Sequence, residues 1–255
     1  MPKFATVAFD SGSELARLFF SKKIGKTGAD MDKIRGVQDY ADVTERLNIL
    51  IRRMKNLRNK GVNVVFLAHE DLQKVFARGG MIAQRGQAPT EPIAVKGWPD
   101  FPGSRTPDEM CRAADNVFHV RYVNGKVTWV ARREAIGGGG GTDYWEVKDR
   151  FNAPAIAGGM LPSSYEEVRK LAMANPNCDW NDPYIWILYG AFGIGKTRSL
   201  LTFPRPIRIF DLDLGSDSIN KETKASNGEI DVIKSINVED GGDYNEFLRL
   251  VEECF

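Results

Sequence analysis

Histidine is almost absent from this chain, with 2 in 255 residues. The 3 cysteines, Cys111, Cys178 and Cys254, are far apart and form no Cys-x-x-Cys spacing. With so few imidazoles and thiols, a His/Cys metal site is not expected, and the cysteines read as reduced thiols. No apolar run approaches the ~20 residues that a membrane span requires. Acidic and polar residues enter within the first ten positions, which argues against a signal peptide. A strong net charge is lacking too. Lys plus Arg number 35 and Asp plus Glu 34, a formal +1, so no global basic field draws the chain to nucleic acid, and any such site must be a local patch. What remains is 42% hydrophobic and 27% charged, enough for one sizeable core or at most two small ones. The expectation is a cytoplasmic protein with no membrane contact.

Residues 4–9 (FATVAF) are a short apolar run ending at Asp10 and read as a buried strand. Residues 13–20 look helical. Tyr40, Val43, Leu47, Leu50, Ile51, Met54 and Leu57 then recur at helical spacing, and Asn59-Lys60-Gly61 is a helix stop. Residues 62–68 (VNVVFLA) form a second buried strand, ending before His69. Strand, helix, strand in this order predicts a βαβ crossover and a parallel sheet. From Glu70 to Asn116 glycines and prolines punctuate the chain, and the stretch reads as a long loop. Two strand-like runs, 117–123 and 126–132, flank Asn124-Gly125, a strong hairpin signal. The glycine run 137–141 reads as a hairpin tip with strand-like 144–147 beyond it. Residues 163–172 read as a helix with the capping pattern Ser163-Ser164-Tyr165-Glu166. Residues 185–189 (IWILY) and 207–212 (IRIFDL) are further buried strands, and 244–254 is an amphipathic helix.

The segment Gly190-Ala191-Phe192-Gly193-Ile194-Gly195-Lys196-Thr197 fits Gly-x-x-x-x-Gly-Lys-Thr. A hydrophobic strand precedes it and a helix-compatible segment, beginning at Arg198, follows, which is the context a phosphate-binding loop requires. Glycines let successive N–H groups curl inward to the phosphates, and the helix N-terminus adds its positive dipole end. Lys196 places a charge on the β- and γ-phosphates, and the Thr197 hydroxyl ligates Mg²⁺. The motif predicts binding of ATP with Mg²⁺ through residues 190–198. A second IGKT string, Ile24-Gly25-Lys26-Thr27, has Phe20 where the first glycine belongs and reads as a loop. Hydrolysis needs further groups. Asp10, at a strand end, fits the Mg²⁺ shell; its alternative is an ordinary turn aspartate. Asp213, with Asp211 behind it, is the candidate to polarise the attacking water, against a reading as acidic turn residues. His69, with Glu70 beside it, is the candidate γ-phosphate sensor.

These parts resemble the RecA-like recombinases, and most of all the small phage-encoded RecA-type ATPases of single-strand annealing and recombination. The resemblance implies a RecA-like P-loop core: an α/β fold with a mostly parallel sheet, flanking helices and a β-hairpin, forming a single ATPase domain over 1–255. IRIFDLD places Asp213 where RecA has a catalytic Glu. Asp10-Ser11 matches the strand that ends in Asp-Ser, and His69 matches the switch residue, which is Gln in RecA. Lys148 and Arg150, in Val147-Lys148-Asp149-Arg150-Phe151-Asn152-Ala153-Pro154, match a basic pair that acts in trans on a neighbour's γ-phosphate. Spacing i, i+2 puts both on one face of a strand; the plain alternative is a surface Lys-Asp-Arg triplet.

The order of the parts differs from the family's. Starting at Met173, running to Phe255 and continuing from Met1 to near Ala172 restores it. The chain therefore reads as a circular permutant, with a P-loop half (173–255) and a half carrying the Asp-Ser strand, sensor strand, DNA loop and hairpin (1–172). This reading requires Asp10 close to Thr197, and residues 4 and 255 near each other.

In the long loop, Lys74, Arg78, Arg85, Lys96 and Arg105 are interleaved with Phe76, Trp98 and Phe101. Basic residues among stackable rings suit single-stranded DNA; a solvated loop is the plain alternative. The expected function is a DNA-stimulated ATPase that self-associates into a filament or ring on single-stranded DNA, with a single-strand-binding protein as a further partner, in a bacterial host cytoplasm if phage-encoded. The alternatives are a hexameric helicase or packaging-type motor, and a regulatory ATP-binding switch with little turnover.

Overall fold

The computed structural model describes residues 3–15, 18, 37–75, 94–101, 106–136, 144–212, 215–234 and 244–254. The apolar runs became strands: β1 (Thr6–Asp10), β2 (Asn63–Ala68), β5 (Asn116–Val123), β6 (Lys126–Val130), β9 (Ile185–Tyr189) and β10 (Ile207–Asp211). With β8 (Met160–Pro162) and β11 (Ile230–Ile233) they form an eight-stranded sheet in the order β11-β10-β1-β2-β9-β5-β6-β8. Neighbours from β11 to β5 are all parallel. The β5–β6 and β6–β8 pairs are antiparallel. The structure is thus α/β with a large, mostly parallel sheet.

Both faces of the central strands are buried, which is why they read as unbroken apolar runs rather than alternating ones. Successive side chains go to opposite layers. Phe9, Phe66 and Ile187 join one core with Leu50, Met54 and Leu57 of α1 (Val37–Asn59) and Phe247 and Val251 of α6 (Tyr244–Glu252). Ala8, Leu67 and Leu188 join the other, with Val168 of α3 (Tyr165–Ala174) and Leu200 of α4 (Lys196–Leu200). Each fully buried Leu, Ile or Phe contributes about 1.5–3 kcal/mol. The β5–β6 turn takes positive φ at Asn124 (51°) and Gly125 (76°), as a two-residue type I′ hairpin requires.

Two expectations need correction. The described parts of the supposed loop 70–116 are largely structured. β3 (Glu70–Val75) and β4 (Ala94–Pro99) pair antiparallel, β7 (Tyr144–Trp145) adds to β4 in parallel, and α2 (Thr106–Ala113) follows. Gly97 permits that second sheet, because a Cβ there would lie 2.0 Å from Trp145 Cε3. The α3 cap is one residue later than its pattern suggested: Ser164 accepts from the Glu167 N–H at 3.4 Å. Ala172 and Met173, where the permuted halves meet, lie in the last turn of α3, which runs to Ala174.

The first described residues and the end of α6 converge on Arg208 of β10. Its guanidinium lies 4.4 Å from the Phe4 ring centroid, and Nη1 lies 4.0 Å from Cys254 Sγ. Phe255, residues 24–27 and residues 137–141 lie outside the described residues. Among the described residues no helix is long and apolar enough to cross a membrane.

Candidate phosphate site

β9 delivers residues 190–197 to the carboxyl end of the parallel strands. Gly190 is required by close approach, since a Cβ there would sit 2.2 Å from Val120 O of β5. Its N–H donates to Ala68 O of β2 at 3.3 Å. Gly193 (φ 72°) and Gly195 (φ 95°) occupy left-handed backbone that other residues rarely adopt. Lys196 opens α4 and is buried, and its Nζ donates to Gly190 O and Ala191 O, each at 2.8 Å. Ile194 is buried, whereas Arg198 points outward and bonds Glu222 at 3.1 Å.

The contact that joins distant parts of the sequence is Thr197 Oγ1 donating to Asp10 Oδ2 at 2.7 Å. β1 is not next to β9; β2 lies between them. Asp10 therefore reaches across one strand to the first turn of α4. At the neighbouring strand end, buried Asp211 accepts from Ser216 N–H at 3.3 Å and from the Ser216 hydroxyl. The Leu212 N–H donates to Asp10 O at 2.5 Å, so the main chain just before residue 213 is tied to β1. Asp213 itself lies outside the described residues.

Strand alternation divides His69 from Glu70. The His69 ring stacks on Phe192 of the loop, with centroids 6.0 Å apart and planes at 27°. Glu70 turns to the other face, where Oε2 lies 2.9 Å from His119 Nε2. His119 is buried between Trp145 (4.1 Å) and Tyr189 (5.1 Å). Burial holds its imidazole below the usual range, against the upward pull of Glu70. This pair was not foreseen from the sequence. Its one signal was that the chain's two histidines both fall in or just after strand-forming apolar runs.

The basic pair lies at the other end of the sheet. The Asp115 carboxylate accepts from Ile185 N–H at the start of β9 and pairs with Arg58 at 3.0 Å, while Arg150 Nε is 3.6 Å away. The five residues of β9 span roughly 17 Å between that carboxylate and Gly190, so Arg150 does not reach its own chain's loop. Lys148 Nζ is committed to main-chain carbonyls at the C-terminus of α2: Cys111 O (3.2 Å), Arg112 O (2.9 Å) and Ala114 O. Burial lowers its pKa, with Arg150 adding to the effect. The strand expected under Lys148 and Arg150 does not form: Lys148 makes only an isolated bridge to Val117, Arg150 lies in a bend, and Lys148 caps a helix. Two cavities of about 780 and 600 Å³ open at this same end, sharing Asp182 and Pro183, and neither is lined by residues 190–197.

Of the interleaved basic and aromatic residues, Lys96, Trp98 and Phe101 are described with their side chains. Trp98 (8% exposed) and Phe101 (2%) are core residues, so neither ring is open to a base. Lys96 Nζ bonds Glu146 at 2.8 Å and lies 3.2 Å from the Trp98 ring centroid. Phe76, Arg78, Arg85 and Arg105, and the side chain of Lys74, lie outside the described residues. No protein-family model, curated protein or solved structure matches the chain.

Proposed function

We propose that this chain is a RecA-like P-loop ATPase that binds ATP with Mg²⁺ through residues 190–197 and hydrolyses it in a single-stranded-DNA transaction of recombination or annealing. The observation that carries the reading is the Thr197–Asp10 hydrogen bond at 2.7 Å. It joins the motif's hydroxyl to a carboxylate 187 positions away in sequence. The donor set suits Mg²⁺, a hard cation that takes one or two protein oxygens and completes its shell with phosphate and water. Among the described residues no cluster of three or more His, Cys, Asp or Glu gathers, so a metal caged wholly by protein is not needed by this reading.

When bound, Mg²⁺ offsets phosphate charge. The chain's own part is to bind and orient. On this reading Gly193 and Gly195 let the loop curl so that its N–H groups turn to a phosphate, while the Gly190 N–H stays on Ala68 O. Lys196 exchanges the Gly190 and Ala191 carbonyls for phosphate oxygens, a charge-assisted gain. Asp10 orients the Thr197 hydroxyl. His69 stands at the end of the strand between Asp10 and the loop, where a γ-phosphate would be sensed, and Asp213 follows the strand end tied to Asp10. The permuted order fits the same reading, because β10 and β9 flank β1 and β2 in one sheet.

The burial of Trp98 and Phe101 and the pairing of Lys96 favour a second reading, a nucleotide-dependent switch with little turnover. Titration of a fluorescent ATP analogue with and without Mg²⁺, on the parent, Lys196→Ala and Asp10→Ala, tests nucleotide binding. Phosphate release with and without single-stranded DNA separates the readings. DNA-stimulated release supports the recombinase reading. Tight binding with negligible release under both conditions supports the switch, and no binding by the parent overturns both.

A further inference from the structure

One residue of the loop has no part in that account. Phe192 brings neither charge nor small size, and at 87% exposure it is the most exposed of the large hydrophobic side chains among the described residues. Leaving a phenylalanine in water forgoes the gain of burying its apolar surface. Among the described residues its one ring contact is the His69 imidazole, stacked at 6.0 Å and 27°. The main chain of His69 is fixed on both sides. Its N–H donates to Ser13 Oγ at 3.2 Å, its carbonyl accepts from Asp100 N–H at 2.7 Å, and Ser13 Oγ in turn donates to Asp100 O at 2.7 Å. Phe192 sits on the opposite kind of backbone. It precedes Gly193, whose φ is 72° and around whose Cβ position nothing lies within 4 Å. An imidazole on a fixed main chain thus meets a ring that stands next to a glycine in open space.

We propose that Phe192 is a positioning residue of the phosphate loop. Its stack on His69 pins the outer part of residues 190–195 to the end of β2, as the Gly190 N–H to Ala68 O bond pins the inner part. The loop is thereby ordered before a phosphate arrives, and an ordering cost met in advance appears as affinity. The inference rests on the nucleotide reading above. An aromatic pair of this kind corresponds to between about twofold and tenfold in binding.

The chain's 2 histidines make the test direct, because their proton NMR signals are few and His119, stacked on the other face, is an internal reference. Phe192→Ala, Phe192→Leu and Phe192→Tyr are compared with the parent. The expected result is a His69 ring-proton resonance that loses its ring-current shift in Ala and Leu and keeps it in Tyr, with His119 unmoved in all. In parallel, MANT-ADP with Mg²⁺ binds two- to tenfold more weakly to Ala and Leu and with parental affinity to Tyr. A His69 signal indifferent to Phe192→Ala, or a lost shift with unchanged or tighter MANT-ADP binding, overturns the positioning role alone. Failure of all four proteins to bind MANT-ADP overturns the nucleotide reading and takes this role with it.

Discussion

Two lysines at opposite ends of the sheet, Lys196 buried and Lys148 half-buried, bond main-chain carbonyls, and they differ in what those carbonyls are. Lys148 holds Cys111 O, Arg112 O and Ala114 O, the end of α2, where a helix leaves acceptors without intrahelical donors and a cation meets the negative dipole end. Lys196 holds Gly190 O and Ala191 O, which belong to a loop shaped by positive-φ glycines beside an oriented Thr197–Asp10 pair. On the nucleotide reading proposed above, the same bond type is a permanent cap in one place and an exchangeable contact in the other. Number and geometry of hydrogen bonds do not tell the two apart; the backbone that supplies the acceptors does.

The largest effect expected is at the exchangeable end. Lys196→Ala should weaken binding of an ATP analogue by about 100-fold, the scale of losing charge-assisted hydrogen bonds, with little change in the urea midpoint. A variant that binds as well as the parent would break the distinction, leaving Lys196 as one more structural cap. Next in size is Gly190→Ala. Its Cβ would meet Val120 O at 2.2 Å, backbone that cannot rotate away, so the variant should lose about 2–3 kcal/mol of stability in urea unfolding. Equal stability would mean that β5 and the loop can part without cost.

What the sequence disclosed follows from the same physics. β1, β2, β9 and β10 were legible because strands buried on both faces leave uninterrupted apolar runs, and the Asn124-Gly125 turn because only a few residues tolerate two positive φ values. The approach of Asp10 to Thr197 was legible as a requirement of the motif's chemistry. β3 and β4 were not legible, because Glu70-Asp71-Leu72 and Lys96-Gly97-Trp98 lack a continuous apolar run. α2 was misread because Pro107 looked like a loop breaker, although proline is at home in a helix's first turn, where its missing N–H costs nothing. The aromatic spacing of Trp98 and Phe101 fits a stacking surface and a core equally well, and here the core took both. Glu70 and His119 are brought together by strand alternation at one end and by the β5–β9 register at the other, and neither is visible in local spacing.

At the capping end the prediction separates two neighbours. Lys148→Met keeps the aliphatic stem but strands the α2 carbonyls, and should cost about 1–3 kcal/mol. Arg150→Ala leaves Asp115 with Arg58 and the Ile185 N–H, so it should cost under about 1 kcal/mol. Urea midpoints for both variants check this. Equal losses would return the pair to a single shared role.

The smallest effect, and the finest test of how the two sheets meet, is the pH dependence of His119. Burial between Trp145 and Tyr189 lowers its pKa from the ordinary 6.5; Glu70 and Glu134 pull it upward and Arg121 pushes it down. The folded state therefore binds this proton less readily than the unfolded chain does. The stability linked to His119 is complete above about pH 6.5 and is lost as pH falls from there through the lower, folded value. His119→Gln keeps a donor for Glu70 and removes the titration, so its urea midpoint should fall less between pH 7.5 and 5.5 than the parent's. Because His69 is present in both proteins, its contribution cancels in the difference. A parent and variant that fall equally would mean that Glu70 holds a protonated His119 as comfortably as a neutral one. The contact between β5 and the small sheet would then be an ion pair rather than a buried neutral stack.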